Sequence, residues 1–454
     1  MVSKVLIGCG AGFAGDRFDA AGPILDHLEI FSDPRYLMFE CLGERTLALA
    51  QAELRRDPEL GYSPFLDRYL RPILNRVMAS GVRIVTNMGA ANPIAGARRV
   101  QALAREIGAP VPRVAVVIGD DLTAVMSDDA IRTLPRLDGA GLIDKPIVAA
   151  NVYLGAAPVR DAVATGAEIV LVGRTTDSAL ALGPLMHEFA WSEDDYDRLA
   201  AGTIVGHVLE CGAQVTGAYF ADPGFKDVPD LAHVGFPIAE VDADGTFVIT
   251  KPSGTGGCVT RATVSEQLLY EMHDPAAYLV PDVSCNITGL SLTDDGANRI
   301  LVDGIRGAAP PETLKATVSV DNGWMAEAEM SYAGPNALAR AELAAEIVET
   351  RLREAGVDEE IGVDILGAGA TFGRGRHRTW SAAPEGDYRL RLALIADEKA
   401  HAARVIEELQ ALYCSGPAAG GGLRSSLTPQ IATASVLVPR HVLDGKVRIK
   451  VIEP

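Results

Sequence analysis

Apolar and polar residues alternate along the first half of the chain in a pattern that predicts strands followed by helices. Short apolar runs predict buried strands, and the amphipathic stretches between them predict helices. The apolar runs lie at residues 5–7, 36–42, 82–87, 113–118, 146–151 and 169–172, and the amphipathic stretches at 44–55, 69–80, 91–107 and 157–165. This alternation predicts an α/β fold whose mostly parallel sheet has flanking helices.

The second half of the chain has strands that follow one another without a helix between them, so we predict an α+β organisation there. Residues 236–241 and 246–250 predict a hairpin closed by Asp244-Gly245. Pro and Gly residues punctuate the chain at 222–237. We therefore predict an α/β domain with Gly-rich strand-end loops over residues 1–228 and an α+β domain over residues 229–454.

Composition limits the classes of function. The chain has 454 residues, of which 48% are apolar, and a net charge of −19. This length predicts more than one domain, and this charge makes nucleic acid or an anionic membrane an unsuitable main partner. The six cysteines are scattered without a CxxC pair, which fits neither a disulfide framework nor a zinc site. No leader segment precedes the first strand, and we expect a cytoplasmic protein.

A glycine-rich loop with Gly10, Gly12 and Gly15 follows the first predicted strand. This spacing resembles a dinucleotide-binding loop, but Asp16 places a negative charge where a pyrophosphate would lie. The alternatives are a tight turn and a site loop without a nucleotide. We predict that Gly10 and Gly12 contact substrate and that Asp16 takes part in catalysis, and we assign no cofactor.

Two further segments predict anion binding. Arg174 and Asp177 follow the strand at 169–172, where an arginine can hold a carboxylate and an aspartate can move a proton. The alternative is a helix cap. The second segment combines a lysine, hydroxyls and free N–H groups before a predicted helix, and its alternative is a structural loop. Its predicted substrate-binding residues are Lys251, Ser253, Gly254, Thr255, Gly256 and Gly257.

Other strand ends carry amide and carboxylate side chains. We predict that Asn87 and Asn151 orient substrate oxygens and that Asp120 serves as an acid or base, with a solvated turn as its alternative. Cys211, four residues after His207, is either a nucleophile or a buried thiol. The basic run at 373–378 either grips an anionic tail or is a solvated loop. No metal site is assigned, because the histidines form no ligand pair.

Several blocks of sequence together resemble the acyclic terpene utilisation (AtuA) family. These blocks are the loop at 8–15 and residues 36–46, 57–62, 173–177, 210–214, 236–257, 274–278 and 281–283. The resemblance implies a role in the catabolism of citronellol-type and geraniol-type compounds through acyl-CoA intermediates. Longer relatives carry an additional small ferredoxin-fold domain, which implies a separate small companion subunit for this chain.

We therefore predict an enzyme of acyclic terpenoid or branched-chain acid catabolism that acts on a carboxylate or an acyl-CoA, and we favour a hydratase or lyase step. One alternative is a binding or assembly subunit without chemistry of its own, which needs the companion chain. Another is a nucleotide-dependent oxidoreductase. We expect a small anionic substrate and a homo-oligomer, and neither nucleic acid nor a membrane as partner.

Overall fold

The computed structural model describes residues 2–138, 144–367 and 386–454, and the basic run at 373–378 lies outside these ranges. The helices in the described ranges are α1 (Ala21–Leu28), α2 (Glu44–Arg56), α3 (Leu66–Leu70), α4 (Leu74–Ser80), α5 (Pro93–Ile107), α6 (Asp128–Arg132), α7 (Ala157–Ala164), α8 (Ala179–Phe189), α9 (Tyr196–Glu210), α10 (Arg261–Leu269), α11 (Ala337–Glu354) and α12 (Lys399–Ser415). Among these helices, none is long and apolar enough to cross a membrane.

The strands alternate with these helices in the first half of the chain and follow one another more often in the second. They are β1 (Lys4–Cys9), β2 (Arg35–Phe39), β3 (Arg83–Thr86), β4 (Val114–Ile118), β5 (Ile147–Val152), β6 (Ile169–Val172), β7 (Ile238–Asp242), β8 (Phe247–Thr250), β9 (Tyr278–Leu279), β10 (Ser284–Asn286), β11 (Ser291–Asp294), β12 (Ile300–Asp303), β13 (Arg306–Ala308), β14 (Thr313–Ala333), β15 (Ile361–Leu366), β16 (Asp387–Ala396), β17 (Gly421–Pro439) and β18 (Arg448–Ile452).

The chain forms two compact units that a single cut does not separate. Unit 1 holds the described residues within 1–143, 147–319 and 433–454, and unit 2 holds those within 144–146 and 320–432. The predicted division at residue 228 is not confirmed, because β7 and β8 follow that residue and yet belong to the same sheet as β1.

The main sheet of unit 1 is mixed, with the strand order β11-β12-β8-β7-β1-β2-β3-β6-β4-β18. Its centre, from β1 through β4, is parallel, which agrees with the expectation for the first half of the chain. Antiparallel strands extend it at both ends, where β7 pairs with β1 and β18 pairs with β4. The predicted hairpin is confirmed, since β7 and β8 pair antiparallel. The fold is therefore α/β with a mixed sheet.

Helices cover both faces of this parallel centre, which explains why its strands are apolar on both sides. On one face, Leu37 and Ile84 of the strands pack in a buried cluster with Ile24 of α1 and Leu103 of α5. On the other face, α7, α8 and α9 lie against the sheet. The helix predicted at 69–80 is two helices, because Pro72 cannot donate a backbone hydrogen bond.

The parallel strands place their carboxyl ends at one edge of the sheet. The turns after β1, β2, β3, β4 and β6 therefore meet there, as expected for an open parallel sheet. Polar residues follow each of these strands, and their arrangement defines the candidate site.

Unit 2 has the topology of a split β-α-β fold, which is the ferredoxin-like arrangement. Its elements follow the order β14, α11, β15, β16, α12 and β17, and its sheet has the order β15-β16-β14-β17. Strand β16 pairs antiparallel with both β14 and β15. Alternate residues of β16, such as Leu390 and Leu392, pack against Val348 of α11 and Val405 of α12 in one buried cluster.

The two faces of β16 provide a test of this packing. Leu390 is fully buried, whereas Ile395 on the same strand is 46% exposed. We expect Leu390→Ala to destabilise unit 2 by about 2–5 kcal/mol because it leaves a cavity, and Ile395→Ala to cost at most about 0.5 kcal/mol. Hydrogen exchange of the β14–β16 amides in the full chain measures both effects. Equal exchange rates in the two variants would contradict this packing.

Candidate active site

A cavity of about 880 Å³ opens at the carboxyl edge of the parallel strands of unit 1. In the described part of the chain, its acidic lining residues are Asp16, Glu40, Glu44, Asp177, Glu210 and Glu271. The lining also includes two cations, Arg174 and Lys315, and the rings of Tyr153, Tyr270 and Tyr278. Carboxylates thus outnumber the arginine and lysine side chains, and apolar residues fill much of the remaining wall.

Arg174, directly after β6, is the buried cation of this cavity and is only 2% exposed. Its guanidinium donates to the backbone oxygen of Leu42 and lies 3.3 Å from the carboxylate of Asp177. It also stacks over the ring of Tyr153, 4.0 Å from the ring centroid. A buried charge needs such partners, because an isolated guanidinium would lose its hydration without compensation.

Asp177 lies among several other carboxylates. Burial raises the pKa of Asp177 well above its ordinary value, and the nearby charges of Glu40, Glu210 and Glu44 act in the same direction against Arg174. Burial likewise raises the pKa of Glu40, which the hydrogen bonds from Leu42 and Asn87 only partly offset. Burial thus shifts both carboxyl groups towards the protonated form, which is the form that a general acid requires.

Three residues predicted for the site lie behind the cavity wall and support it. Asn87 donates to Glu40 at 2.9 Å and accepts the N–H of Cys41 at 2.8 Å, which fixes the turn after β2. Asp120 accepts the backbone N–H of Arg174 at 3.1 Å and the amide of Asn151 at 2.8 Å. None of the three belongs to the cavity lining in the described ranges, so the structure places them as supports.

The glycine loop after β1 packs closely against Cys211, and its Gly12 also lines the cavity. A Cβ on Gly12 would lie 2.3 Å from the carbonyl carbon of Cys211, and one on Gly10 would lie 2.6 Å from the ring of Phe39. Asp16 accepts the N–H groups of Gly12 and Arg17, at 2.9 and 2.8 Å. The glycines therefore allow close packing, and Asp16 takes the place of a bound anion.

The side chains of the loop at 251–257 bond within the loop, and its Gly256 and Gly257 N–H groups donate to the backbone oxygens of His233 and Pro229. Lys251 donates to the backbone oxygen of Thr255 at 2.7 Å, and the Thr255 hydroxyl donates to Pro252 at 2.6 Å. A Cβ on Gly256 would lie 1.9 Å from the backbone oxygen of Asp230. No residue of this loop lines the cavity in the described part of the chain, so Ser253, Gly254 and Gly257 lie outside it. Its role in substrate binding stays a prediction.

Cys211 and His207 do not form a nucleophile and base. The Nδ1 of His207 lies 3.0 Å from Glu210 and its Nε2 lies 3.2 Å from the backbone oxygen of Leu268. Burial raises the pKa of the Cys211 thiol to about 12, so this side chain is a thiol rather than a thiolate at neutral pH.

Sequence reasoning assigned no role to several residues that line the cavity, among them Glu40, Glu44, Glu210 and Tyr153. Glu40 directly follows β2, so the strand-end rule that singled out Asn87 and Arg174 could have found it. The hydroxyl of Tyr153 donates to Glu44. Glu210 lies in the block at 210–214 that resembles the family, but its place in the cavity depends on how α9 packs. Within the described ranges, no cluster of three or more His, Cys, Asp or Glu side chains could hold a metal ion.

Comparison with known proteins identifies one family. The family model described as "Acyclic terpene utilisation family protein AtuA" matches residues 5–449. No curated protein and no solved structure matches the chain.

Replacing Gly12 tests the contact between the glycine loop and Cys211. We expect Gly12→Ala to destabilise the protein by about 1–3 kcal/mol, because its methyl group would meet backbone atoms that cannot rotate away. Gly22→Ala is the matched control, since a Cβ there meets nothing within 4 Å and Gly22 lies in α1. Urea unfolding compares them, and equal stability of the two variants would disprove the contact.

The buried carboxyl of Asp120 gives a pH-dependent stability. Burial raises the pKa of Asp120 from 3.8 to about 6, against the opposing hydrogen bonds from Arg174 and Asn151. Because the folded state binds this proton more tightly, the contribution of Asp120 to stability grows as the pH falls from 7 towards 4. The free energy of unfolding of wild type relative to Asp120→Asn should therefore rise by up to about 3 kcal/mol over this range.

Urea unfolding at several pH values measures this difference. Asp129→Asn, at a side chain that is 98% exposed, is the control for removing one carboxylate. A difference between wild type and Asp120→Asn that stays constant from pH 7 to 4 would show that this carboxyl is not buried as described.

Proposed function

The chain belongs to the acyclic terpene utilisation (AtuA) family, and on this premise we propose that it is an enzyme that adds or removes water on an acyl compound. The substrate is a carboxylate or acyl-CoA of acyclic terpenoid or branched-chain acid catabolism, and the reaction takes place in the cavity of unit 1. The observation that carries this proposal is the placement of the Arg174 guanidinium 3.3 Å from the Asp177 carboxyl on the cavity wall.

The roles of these two side chains follow from their chemistry. Hydration of a double bond conjugated to an acyl group builds negative charge on the acyl oxygen, and a guanidinium stabilises such charge. The other requirement is a group that gives a proton to the α-carbon. The Asp177 carboxyl suits this step because burial raises its pKa, and a raised pKa is what a carboxyl group needs to act as a general acid.

The apolar wall provides room for a branched hydrocarbon chain. In the described ranges, the lining includes the apolar side chains Phe13, Leu137, Leu279, Val280, Leu314 and Leu437. A volume of about 880 Å³ lies within the usual range for small-molecule sites. The volume and the apolar lining therefore suit the binding of an acyl chain of the size found in acyclic terpenoids.

The charge of the cavity determines which part of an acyl-CoA can enter it. Among the charged lining residues, carboxyl groups outnumber the arginine and lysine, and Lys315 at 43% exposure is paired with Glu44 at 3.7 Å. Phosphate groups would be repelled by these carboxylates. For an acyl-CoA substrate, the acyl group therefore enters the cavity and the nucleotide stays outside.

The arrangement of carboxylates also bears on the alternatives. A binding subunit without chemistry would be favoured by an apolar pocket whose carboxylates face solvent, whereas Glu40 and Asp177 line the cavity and are enclosed enough to raise their pKa values. A nucleotide-dependent oxidoreductase receives no support from the glycine loop, because Asp16 already accepts its N–H groups.

The proposed reaction is tested by incubating the full chain with branched and terpenoid carboxylates and acyl-CoAs, and by following the gain or loss of one water by mass spectrometry. We expect Arg174→Gln and Asp177→Asn each to lower the rate at least about 100-fold, because one removes the charge-stabilising group and the other the proton donor.

A surface pair provides the matched control. Arg261 and Asp294 lie 3.3 Å apart, like Arg174 and Asp177, but both side chains are more than 60% exposed. Arg261→Gln and Asp294→Asn should leave the rate unchanged. If wild type converts no compound of this series, or if both site variants keep full activity, the proposed function is wrong.

A further inference from the structure

A buried histidine behind the cavity wall has both ring nitrogens facing hydrogen-bond acceptors. His207 is 1% exposed, and its Nε2 lies 3.2 Å from the backbone oxygen of Leu268. A carbonyl oxygen can only accept, so Nε2 must carry a hydrogen. Leu268 belongs to the last turn of α10, whose carbonyl groups have no partner within the helix. His207 therefore caps α10, and this contact fixes its ring.

The other ring nitrogen shares a proton with Glu210. Nδ1 lies 3.0 Å from Oε1 of Glu210, so a hydrogen there makes His207 an imidazolium that donates to a carboxylate. The carbonyl end of α10 also favours a cation at this position. The charged and titratable groups that face the ring are Glu210, Glu271 and Tyr278, whose ring lies 5.2 Å away.

These surroundings favour the charged imidazole. Burial alone would lower the pKa of His207, but the hydrogen bond and charge of Glu210, the Leu268 carbonyl and Glu271 raise it above its ordinary value. Gln267 donates to the backbone oxygen of His207 at 3.3 Å and so holds the end of α9 in place. The pair of His207 and Glu210 is therefore fixed from two helices.

We propose that Glu210, held by its hydrogen bond to His207, is the general base of the cavity, and that His207 is its positioning residue. Glu210 lines the cavity, whereas His207 lies behind it. This inference rests on the proposed function and completes it, because hydration needs a base as well as the Asp177 acid. Asp177 lies beside Arg174 and Glu210 beside His207, and carboxyl groups in unlike surroundings are the usual basis of such a division of roles.

The step balances in the hydration direction. Glu210 takes one proton from a water molecule while the water oxygen bonds to the β-carbon, and the π electrons of the double bond form the new bond between the α-carbon and the Asp177 proton. Glu210 then holds one proton more and Asp177 one fewer. A proton passes from Glu210 to Asp177 through solvent before the next turnover, so nothing is oxidised or reduced.

The first experiment needs no substrate. Histidine-selective 15N NMR of the full chain reports which ring nitrogens carry hydrogen, and His207→Gln assigns the signal. We expect His207 to lose its second ring proton at a higher pH in wild type than in Glu210→Gln. Loss of this proton at the same pH in both proteins would overturn the proposal. His233→Gln is the matched control, because His233 lies 2.8 Å from Asp230 on the exposed surface.

The second experiment uses a substrate found by the water-addition assay. We expect Glu210→Gln to lower kcat by about 100-fold or more with a small change in KM. His207→Gln should move the acidic limb of the pH–rate profile to higher pH, because it removes the positively charged neighbour of the proposed base. Glu266→Gln, at a half-exposed glutamate of α10, is the control.

The outcomes separate the two proposals. If Asp177→Asn abolishes activity while Glu210→Gln retains it in full, the reaction class stands and the assignment of the base is wrong. If wild type converts none of the compounds, the proposed function and the role of Glu210 as its base both fail, and the NMR result alone shows whether the proton-holding pair exists.

Discussion

One buried guanidinium organises the carboxyl edge of the parallel sheet. Arg174 cannot be hydrated by bulk water at 2% exposure, so the turns around it must provide partners. Leu42 after β2 accepts from its guanidinium, Asp120 after β4 accepts its backbone N–H, and the Asp177 carboxyl lies 3.3 Å from the guanidinium. The turns after β2, β4 and β6 are therefore linked through a single residue.

The same requirement shapes the charge of the cavity. In the described ranges, six carboxyl groups line the cavity against two cations, and burial raises the pKa values of Asp177 and Glu40. Glu210 differs because its partner is the ring of His207, which lies 3.0 Å away behind the wall. Neighbouring carboxyl groups thus have unlike partners, and unlike partners are what allow one of them to release a proton while another accepts one.

The glycine loop and unit 2 show which features local sequence patterns can predict and which they cannot. The pattern of Gly10, Gly12 and Gly15 predicts that another group approaches the loop backbone closely. The structure confirms a close approach at Gly12, but the neighbour is the backbone of Cys211. Sequence spacing cannot tell a phosphate from another part of the chain, because both need a residue without a Cβ. In unit 2, the order of the four strands depends on pairings between distant segments, which no local pattern shows.

The sequence by itself determined the α/β alternation, the hairpin of β7 and β8, the family, and the position of Arg174 and Asp177 at a strand end. These follow from periodicity and turn chemistry, which act over a few residues. The tertiary structure alone decided that β7 and β8 join the sheet of β1, that Asn87, Asp120 and Asn151 support the wall, and that His207 and Glu210 reach it from α9. Burial and hydrogen-bond partners depend on contacts between segments far apart in the chain, and no local pattern encodes them.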